Sequence, residues 1–219
     1  MSEKKFISYS KKGLNRNSNQ DRILVLKEKA YRIFILFDGV SSNSFSYLFI
    51  EEFKKRFRKR MSQIRNRNFN VSDVLFKTHQ DTLESEVKGL STMSVLYFND
   101  ESNKAEYLNI GDSRIYIFTN KFLEKITTDD SLKNRSNIIT KCLGMNELTQ
   151  KDFESEEISE NYNFLMCSDG FYNLMEENLK DYFITFNFKY MKNIDRKLKE
   201  LQRRKNQDDS TYILIKNDV

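Results

Sequence analysis

Five aspartates constrain this chain more than any other feature, because each sits beside a small or polar residue at the border of an apolar run. Asn19-Gln20-Asp21 precedes Arg22-Ile-Leu-Val-Leu26, and Asp38-Gly39 ends Tyr31-Arg-Ile-Phe-Ile-Leu-Phe37. Gly111-Asp112-Ser113 separates Ala105–Ile110 from Arg114–Phe118, Ser168-Asp169-Gly170 follows Asn163–Cys167, and Asp208-Asp209-Ser210-Thr211 opens the last apolar run, Thr211–Ile215. A single Asp-Gly or Asp-Ser pair is ordinary turn chemistry. Five pairs abutting strongly apolar runs place short anionic oxygen donors at the ends of a stiff scaffold, which suits hard divalent cations such as Mg²⁺ or Mn²⁺. Glycine is scarce, at six residues, and proline is absent. Each glycine therefore marks a position where the backbone has little choice.

The runs themselves read as strands, being rich in branched and aromatic residues. Arg22–Leu26 and Tyr31–Phe37 are joined by Lys27–Ala30 as in a hairpin, and Met93–Phe98 adds a further strand. Between the strand blocks the period changes. Phe49, Phe53, Phe57, Met61 and Ile64 form one stripe of an amphipathic helix, and Val71, Val74, Leu75 and Thr78 continue in a second, with Asn70 or Ser72 as its cap. Helices are expected again near Glu176–Phe183 and over Met191–Leu201. Paired helices between blocks of strands predict an α+β layered sandwich rather than an alternating βαβ sheet. With no repeat and no linker-like stretch, residues 1–219 are expected to form one domain.

Composition narrows the function classes. No run of about 18 apolar residues offers a membrane span, and Met1–Phe6 has no apolar core of a secretory signal. Cys142 and Cys167 lack metal-ligand spacing and read as free thiols. A cytoplasmic protein is expected. The formal charge of +5 is too small for a nucleic-acid-binding tail. The basic run Lys54, Lys55, Arg56, Arg58, Lys59 and Arg60, followed by Arg65 and Arg67, reads as a solvated helix face, partly compensated by Glu51 and Glu52. A nucleic-acid or membrane-surface adaptor is the rival reading of that run. His79, the single histidine, lies away from every aspartate motif.

The ordered set of motifs resembles the metal-dependent protein phosphatase family (protein phosphatase type 2C-like). Gly13-Leu-Asn-Arg16-Asn-Ser-Asn19-Gln20-Asp21 is similar to its opening Gly-x-x-Arg-x-x-Asn-Glu-Asp, and Phe37-Asp38-Gly39-Val40 to its second motif. Gly89-Leu-Ser91-Thr92 resembles Gly-x-Gly-Thr-Thr, and Asn109-Ile-Gly111-Asp112-Ser113-Arg114 matches Asn-x-Gly-Asp-Ser-Arg in full. Ile126-Thr-Thr-Asp129-Asp-Ser131, Ile139-Thr140-Lys-Cys-Leu143-Gly144, Cys167-Ser168-Asp169-Gly170 and Asp208-Asp209-Ser210-Thr211 follow in the family's order, the last in place of Asp-Asn-x-Thr.

The resemblance implies a four-layer α-β-β-α sandwich with two central antiparallel sheets, hydrolysing phosphoserine or phosphothreonine in proteins with two Mn²⁺ or Mg²⁺ ions. Asp38 would bridge the ions, with the Gly39 carbonyl on one of them. Asp169 and Asp208 would complete the other shell, and Asp21 would act directly or through water. Asp112 with Asp169 would suit a third, looser ion, as in bacterial-type members. Arg16 would hold the substrate phosphate, and a water between the ions would be the nucleophile. Phosphorylated proteins are the implied partners, and a monomer is expected.

Four departures from the pattern bear on activity. Gln20 replaces glutamate, Val40-Ser41-Ser42 replaces a glycine-rich continuation, and Asp130 replaces histidine. Only Leu132–Asn137 separates Ser131 from Ile138, where relatives carry a longer flap. Valine at 40 cannot protonate a leaving alkoxide. The departures motivate a second reading, a catalytically weak pseudophosphatase that binds phosphoproteins.

Overall fold

The computed structural model describes residues 5–40, 45–64, 69–100, 104–132 and 135–217. One five-stranded sheet has the order β10 (Glu156–Ile158), β5 (Lys104–Ile110), β4 (Met93–Asn99), β3 (Tyr31–Phe37), β2 (Arg22–Lys27). The other has the order β1 (Lys5–Lys11), β12 (Ser210–Lys216), β11 (Asn163–Cys167), β6 (Arg114–Phe118), β7 (Leu123–Lys125). All the pairings are antiparallel.

Three apolar layers explain why the central strands read as continuous apolar runs. In β3, Ile33, Ile35 and Phe37 face helices α1 (Ser46–Gln63) and α2 (Val71–Leu83), while Phe34 and Leu36 face the other sheet. In β12, Ile213 and Ile215 point into the same inter-sheet layer. Tyr212 and Leu214 pack against α3 (Asp169–Glu177), α4 (Leu179–Phe186) and α5 (Met191–Leu201). A strand buried on both faces has no polar side to alternate with. The arrangement is the expected four-layer α-β-β-α sandwich.

Register gathers the aspartates. Arg22 pairs with Phe37, Leu36 with Ser94, Met93 with Ile110, and Cys167 with both Arg114 and Tyr212. Asp21, Asp38, Asp112, Asp169 and Asp208 therefore all leave the two sheets at one end.

Several elements differ from the sequence expectation. The helix expected near Glu176–Phe183 is two helices, α3 and α4, broken at Asn178, whose backbone (φ −138°, ψ 48°) belongs to neither. The period-3.6 pattern runs through the break because both helices bury residues in one layer. β1 carries too few apolar residues to be read as a strand. It is an edge strand and needs only one apolar face. The cap of α2 is Asn70, whose side chain accepts from the Asp73 amide at 3.1 Å. The segment after Ser131 is a two-stranded hairpin of β8 (Ser131–Leu132) and β9 (Arg135–Ile139). Ser41, Ser42, Arg65, Arg67 and, within the short segment after Ser131, Lys133 and Asn134 lie outside the described residues.

Candidate metal centre

Asp38 and Gly39 follow β3 and are held from the neighbouring strand. The Asp38 amide donates to Thr92 Oγ1 at 3.1 Å, and its carbonyl accepts from the Thr92 amide at 2.8 Å and from Ser91 Oγ at 3.0 Å. Gly39 pairs with Ser91 through an isolated β-bridge. Thr92 Oγ1 lies 2.7 Å from Ser113 Oγ, which links this turn to the Gly111-Asp112-Ser113 turn between the sheets. The latter is a knot around Gly111, at φ +105°, which L side chains rarely adopt. The Gly111 amide donates to Asp130 Oδ2 at 3.0 Å, the Asp130 amide donates back to the Gly111 carbonyl at 2.9 Å, and Asn109 Nδ2 reaches that carbonyl at 3.1 Å. Asp130, where the family has histidine, thus serves here to fasten the turn.

From the other sheet, Asp169 is the first residue of α3. Gly170 lets that helix start against the strand entering β12, since a Cβ there would stand 2.1 Å from the Asp209 carbonyl oxygen. Arg114, at the start of β6, binds Asp129 with Nε and Nη2 (3.1 and 2.8 Å to Oδ2) and Glu176 with Nη1 at 2.6 Å. It also lies 3.6 Å from the centre of the Tyr172 ring. Motif comparison singled out neither Thr92, with its link to Ser113, nor the Arg114 network as acting on the site: Thr92 acts through the Asp38 backbone, and Arg114 through side chains distant in sequence.

Electrostatics mark the aspartates as one group. Burial, then the charges of Asp21, Asp169, Asp112 and Asp208, holds the Asp38 carboxyl well above the usual range. Burial and Asp169 push Asp112 up to about 6. Burial and the charge of Asp208 raise Asp169, with the Gly170 amide, Asp38 and Arg16 opposing the rise. Asp21 is 2 % exposed, and burial pushes it up to about 7, the nearby Thr211 and Ser168 hydroxyls opposing the rise and the charges of Asp209 and Asp169 adding to it. Neither Asp21 oxygen has a hydrogen-bond partner among the described residues. The nearby hydroxyls are engaged elsewhere: Thr211 Oγ1 with Ser10 Oγ at 2.7 Å, and Ser168 Oγ with the Thr211 carbonyl at 3.5 Å.

Arg16 lies across this group with its Nε and Nη2 on the two oxygens of Asp208. The residue expected to hold phosphate and the residue expected to hold metal are therefore paired with each other. Among the described residues no three His, Cys, Asp or Glu side chains converge tightly enough to hold an ion as they stand. The Gln20 side chain is engaged elsewhere: its Oε1 accepts from the Tyr47 amide at 3.1 Å and its Nε2 donates to Ser18 Oγ at 2.6 Å. The residues nevertheless fit a divalent ion. The donors are all hard oxygens, neighbouring carboxylate charges raise the pKa values of Asp21, Asp38, Asp112 and Asp169, and buried Asp21 lacks a partner that a cation would supply.

Outside the centre, His79 is buried in α2 and accepts from the Gly144 amide at 3.2 Å. Both cysteines are free and buried. Much of the basic run on α1 is ion-paired: Lys54 with Glu51, Lys55 and Arg56 with Glu52, and Arg60 with Asp81. No helix among the described residues is long and apolar enough to cross a membrane.

Comparison with known proteins agrees with the geometry. No curated protein matches the chain. Among solved structures it is similar to the serine/threonine phosphatase of S. agalactiae (TM-score 0.79, 18 % identity, covering 98 % of this chain and 100 % of that one). It is likewise similar to the serine/threonine phosphatase Stp1 from Staphylococcus aureus (0.75, 18 %, 99 % and 95 %). A third is the catalytic domain of the serine threonine protein phosphatase PstP in complex with two manganese ions (0.68, 18 %, 97 % and 97 %). At these identities the likeness is one of fold. The protein phosphatase 2C family model matches residues 12–203, a span that holds Arg16 and four of the five aspartates, so the chain belongs to the protein phosphatase 2C family.

Proposed function

We propose that residues 1–219 form a single catalytic domain that hydrolyses phosphoserine and phosphothreonine in proteins with Mn²⁺ or Mg²⁺. The observation that carries this reading is the gathering of Asp21, Asp38, Asp112, Asp169 and Asp208 at one end of the sandwich, with Asp21 buried and unpartnered. Family membership and the manganese complex of a similar fold support it.

Asp38, the Gly39 carbonyl, Asp169 and Asp208 would hold two ions, with Asp21 acting on the first directly or through water, and Asp112 with Asp169 would take a third. When bound, the ions supply Lewis acidity at the phosphoryl oxygens and acidify the attacking water. The chain's part is positional. The Thr92 and Ser91 bonds fix the Asp38 backbone. The α3 start sets Asp169. Arg16 presents a planar fork that fits two phosphoryl oxygens and offsets their charge. Because Val40 has no proton to give, a water must protonate the leaving alkoxide.

The Arg16–Asp208 pair favours one alternative, a weakly active phosphoprotein-binding module in which Arg16 stays on Asp208. Phosphate release from a phosphothreonine peptide separates the two. Turnover with Mn²⁺, abolished by EDTA and by Asp38→Ala, is expected. Absence of turnover from folded, Mn²⁺-loaded protein on several phosphopeptides would reject the enzyme and leave the binding module.

A further inference from the structure

The loop that carries Arg16 is tied at both ends to one side chain. Asp209 is 4 % exposed, and its Oδ1 accepts from the Gly13 amide at 2.9 Å while its Oδ2 accepts from the Gln20 amide at 2.7 Å. Between these ends the loop lies along residues 206–208: the Leu14 amide donates to the Asn206 carbonyl at 3.0 Å and the Asn15 amide to the Gln207 carbonyl at 3.1 Å. Asp208 takes the Arg16 guanidinium and accepts the Asp209 amide at 2.7 Å. Adjacent carboxylates thus divide the work, one holding the guanidinium and the other the loop beneath it.

We propose that Asp209 is a positioning residue: its buried carboxylate closes the 13–20 loop and so sets where the Arg16 fork stands at the metal centre. The inference rests on the reading of Arg16 as the phosphate holder. A carboxylate offers acceptors on two oxygens, which two amides arriving from opposite ends of a loop require. Asparagine offers one acceptor oxygen and turns its own N–H donors toward the second amide, so one tie breaks. Alanine breaks both. A planar guanidinium is useful only when its orientation is held, so a loosened loop weakens phosphate binding before it affects the chemical step. The 2.7 Å bond also joins two departures from the family pattern, Gln20 in place of glutamate and Asp209 in place of asparagine.

The test uses the full chain with Asp209→Asn and Asp209→Ala. Amide hydrogen exchange over residues 12–21, read in EDTA, is expected to quicken about tenfold in Asp209→Asn and more in Asp209→Ala, the charge-assisted bonds being of that order. Elsewhere exchange stays as in the parent. With Mn²⁺ and a phosphothreonine peptide, KM should rise about tenfold while kcat falls less than about threefold. In an Arg16→Ala background, Asp209→Asn should raise KM no further. Unchanged exchange, or a KM rise that persists without Arg16, overturns the proposal. If Asp209→Ala does not fold, Asp209→Asn decides. If the parent shows no turnover, the enzyme reading fails and the exchange experiment, which needs neither metal nor substrate, still decides the clamp.

Discussion

A carboxyl group that is 2 % exposed and makes no hydrogen bond among the described residues pays for its burial in its pKa, and at Asp21 the value rises to about 7. The consequence for stability runs opposite to that of a salt-bridged aspartate. Below about pH 4 the group is protonated in both folded and unfolded chains and has no effect. Between about pH 4 and 7 the unfolded chain ionises first, so the folded state holds the extra proton and loses stability as pH rises. Asp112, pushed up to about 6, acts in the same direction. Metal-free protein is therefore expected to melt at higher temperature near pH 5.5 than near pH 7.5. Asp21→Asn should remove part of that slope, raising the melting temperature in EDTA at pH 7.5 by several degrees, since 1 kcal/mol shifts a chain of this size by about 2–4 °C. The same variant should bind Mn²⁺ more weakly. A melting temperature that climbs with pH in EDTA would show that Asp21 is paired in the free protein. At this scale the sequence was legible where a residue type carries its own chemistry, as with the five aspartates. It was silent on Asp209, whose role depends on amides 189 and 196 positions away.

At the scale of elements, the turn between β5 and β6 is held by geometry that only glycine adopts without strain. A Cβ on Gly111 would lie 2.7 Å from Thr92 Cβ at a φ of +105°. Gly111→Ala must therefore displace Thr92 or open the knot with Asp130. We expect a loss of about 2–3 kcal/mol from left-handed strain plus overpacking, and a melting temperature lower by about 4–12 °C. Because Thr92 also holds Asp38, Mn²⁺ affinity should fall in the same variant. Thermal melting and calorimetric Mn²⁺ titration together check this, and a variant with parental melting and affinity would show that the turn gives way at no cost. This turn was visible in the sequence as Gly-Asp-Ser between two apolar runs. The break between α3 and α4 was not, since Asn178 interrupts the backbone without interrupting the apolar period. β1 escaped because an edge strand paired along its whole length with β12 needs no two-sided apolar pattern.

Across the whole molecule, the centre is a joint between the two sheets. Asp21 and Asp38 flank β2 and β3 of one sheet, Asp169 and Asp208 flank β11 and β12 of the other, and Asp112 sits in the turn that crosses between them. The inter-sheet layer of Phe34, Leu36, Ile115, Ile117, Phe164, Met166 and Ile213 holds the sheets together by apolar burial. At the aspartate end, like charges oppose that packing. A divalent ion bound by carboxylates of both sheets would convert the repulsion into a crosslink. Mn²⁺ at about 100 times its dissociation constant should add about 2.7 kcal/mol, or roughly 5–11 °C in melting temperature for a chain of this length. The gain should be larger at pH 7.5 than at pH 5.5, because protons on Asp21 and Asp112 compete with the ion below about pH 6–7. It should fall sharply in Asp38→Ala and in Asp169→Asn alike, although the two residues belong to different sheets. Thermal melting of the three proteins with EDTA and with Mn²⁺ at both pH values measures all of this. A Mn²⁺ gain that survives either substitution would place the ion on one sheet only, and the aspartate end would then be two separate surfaces rather than a single centre.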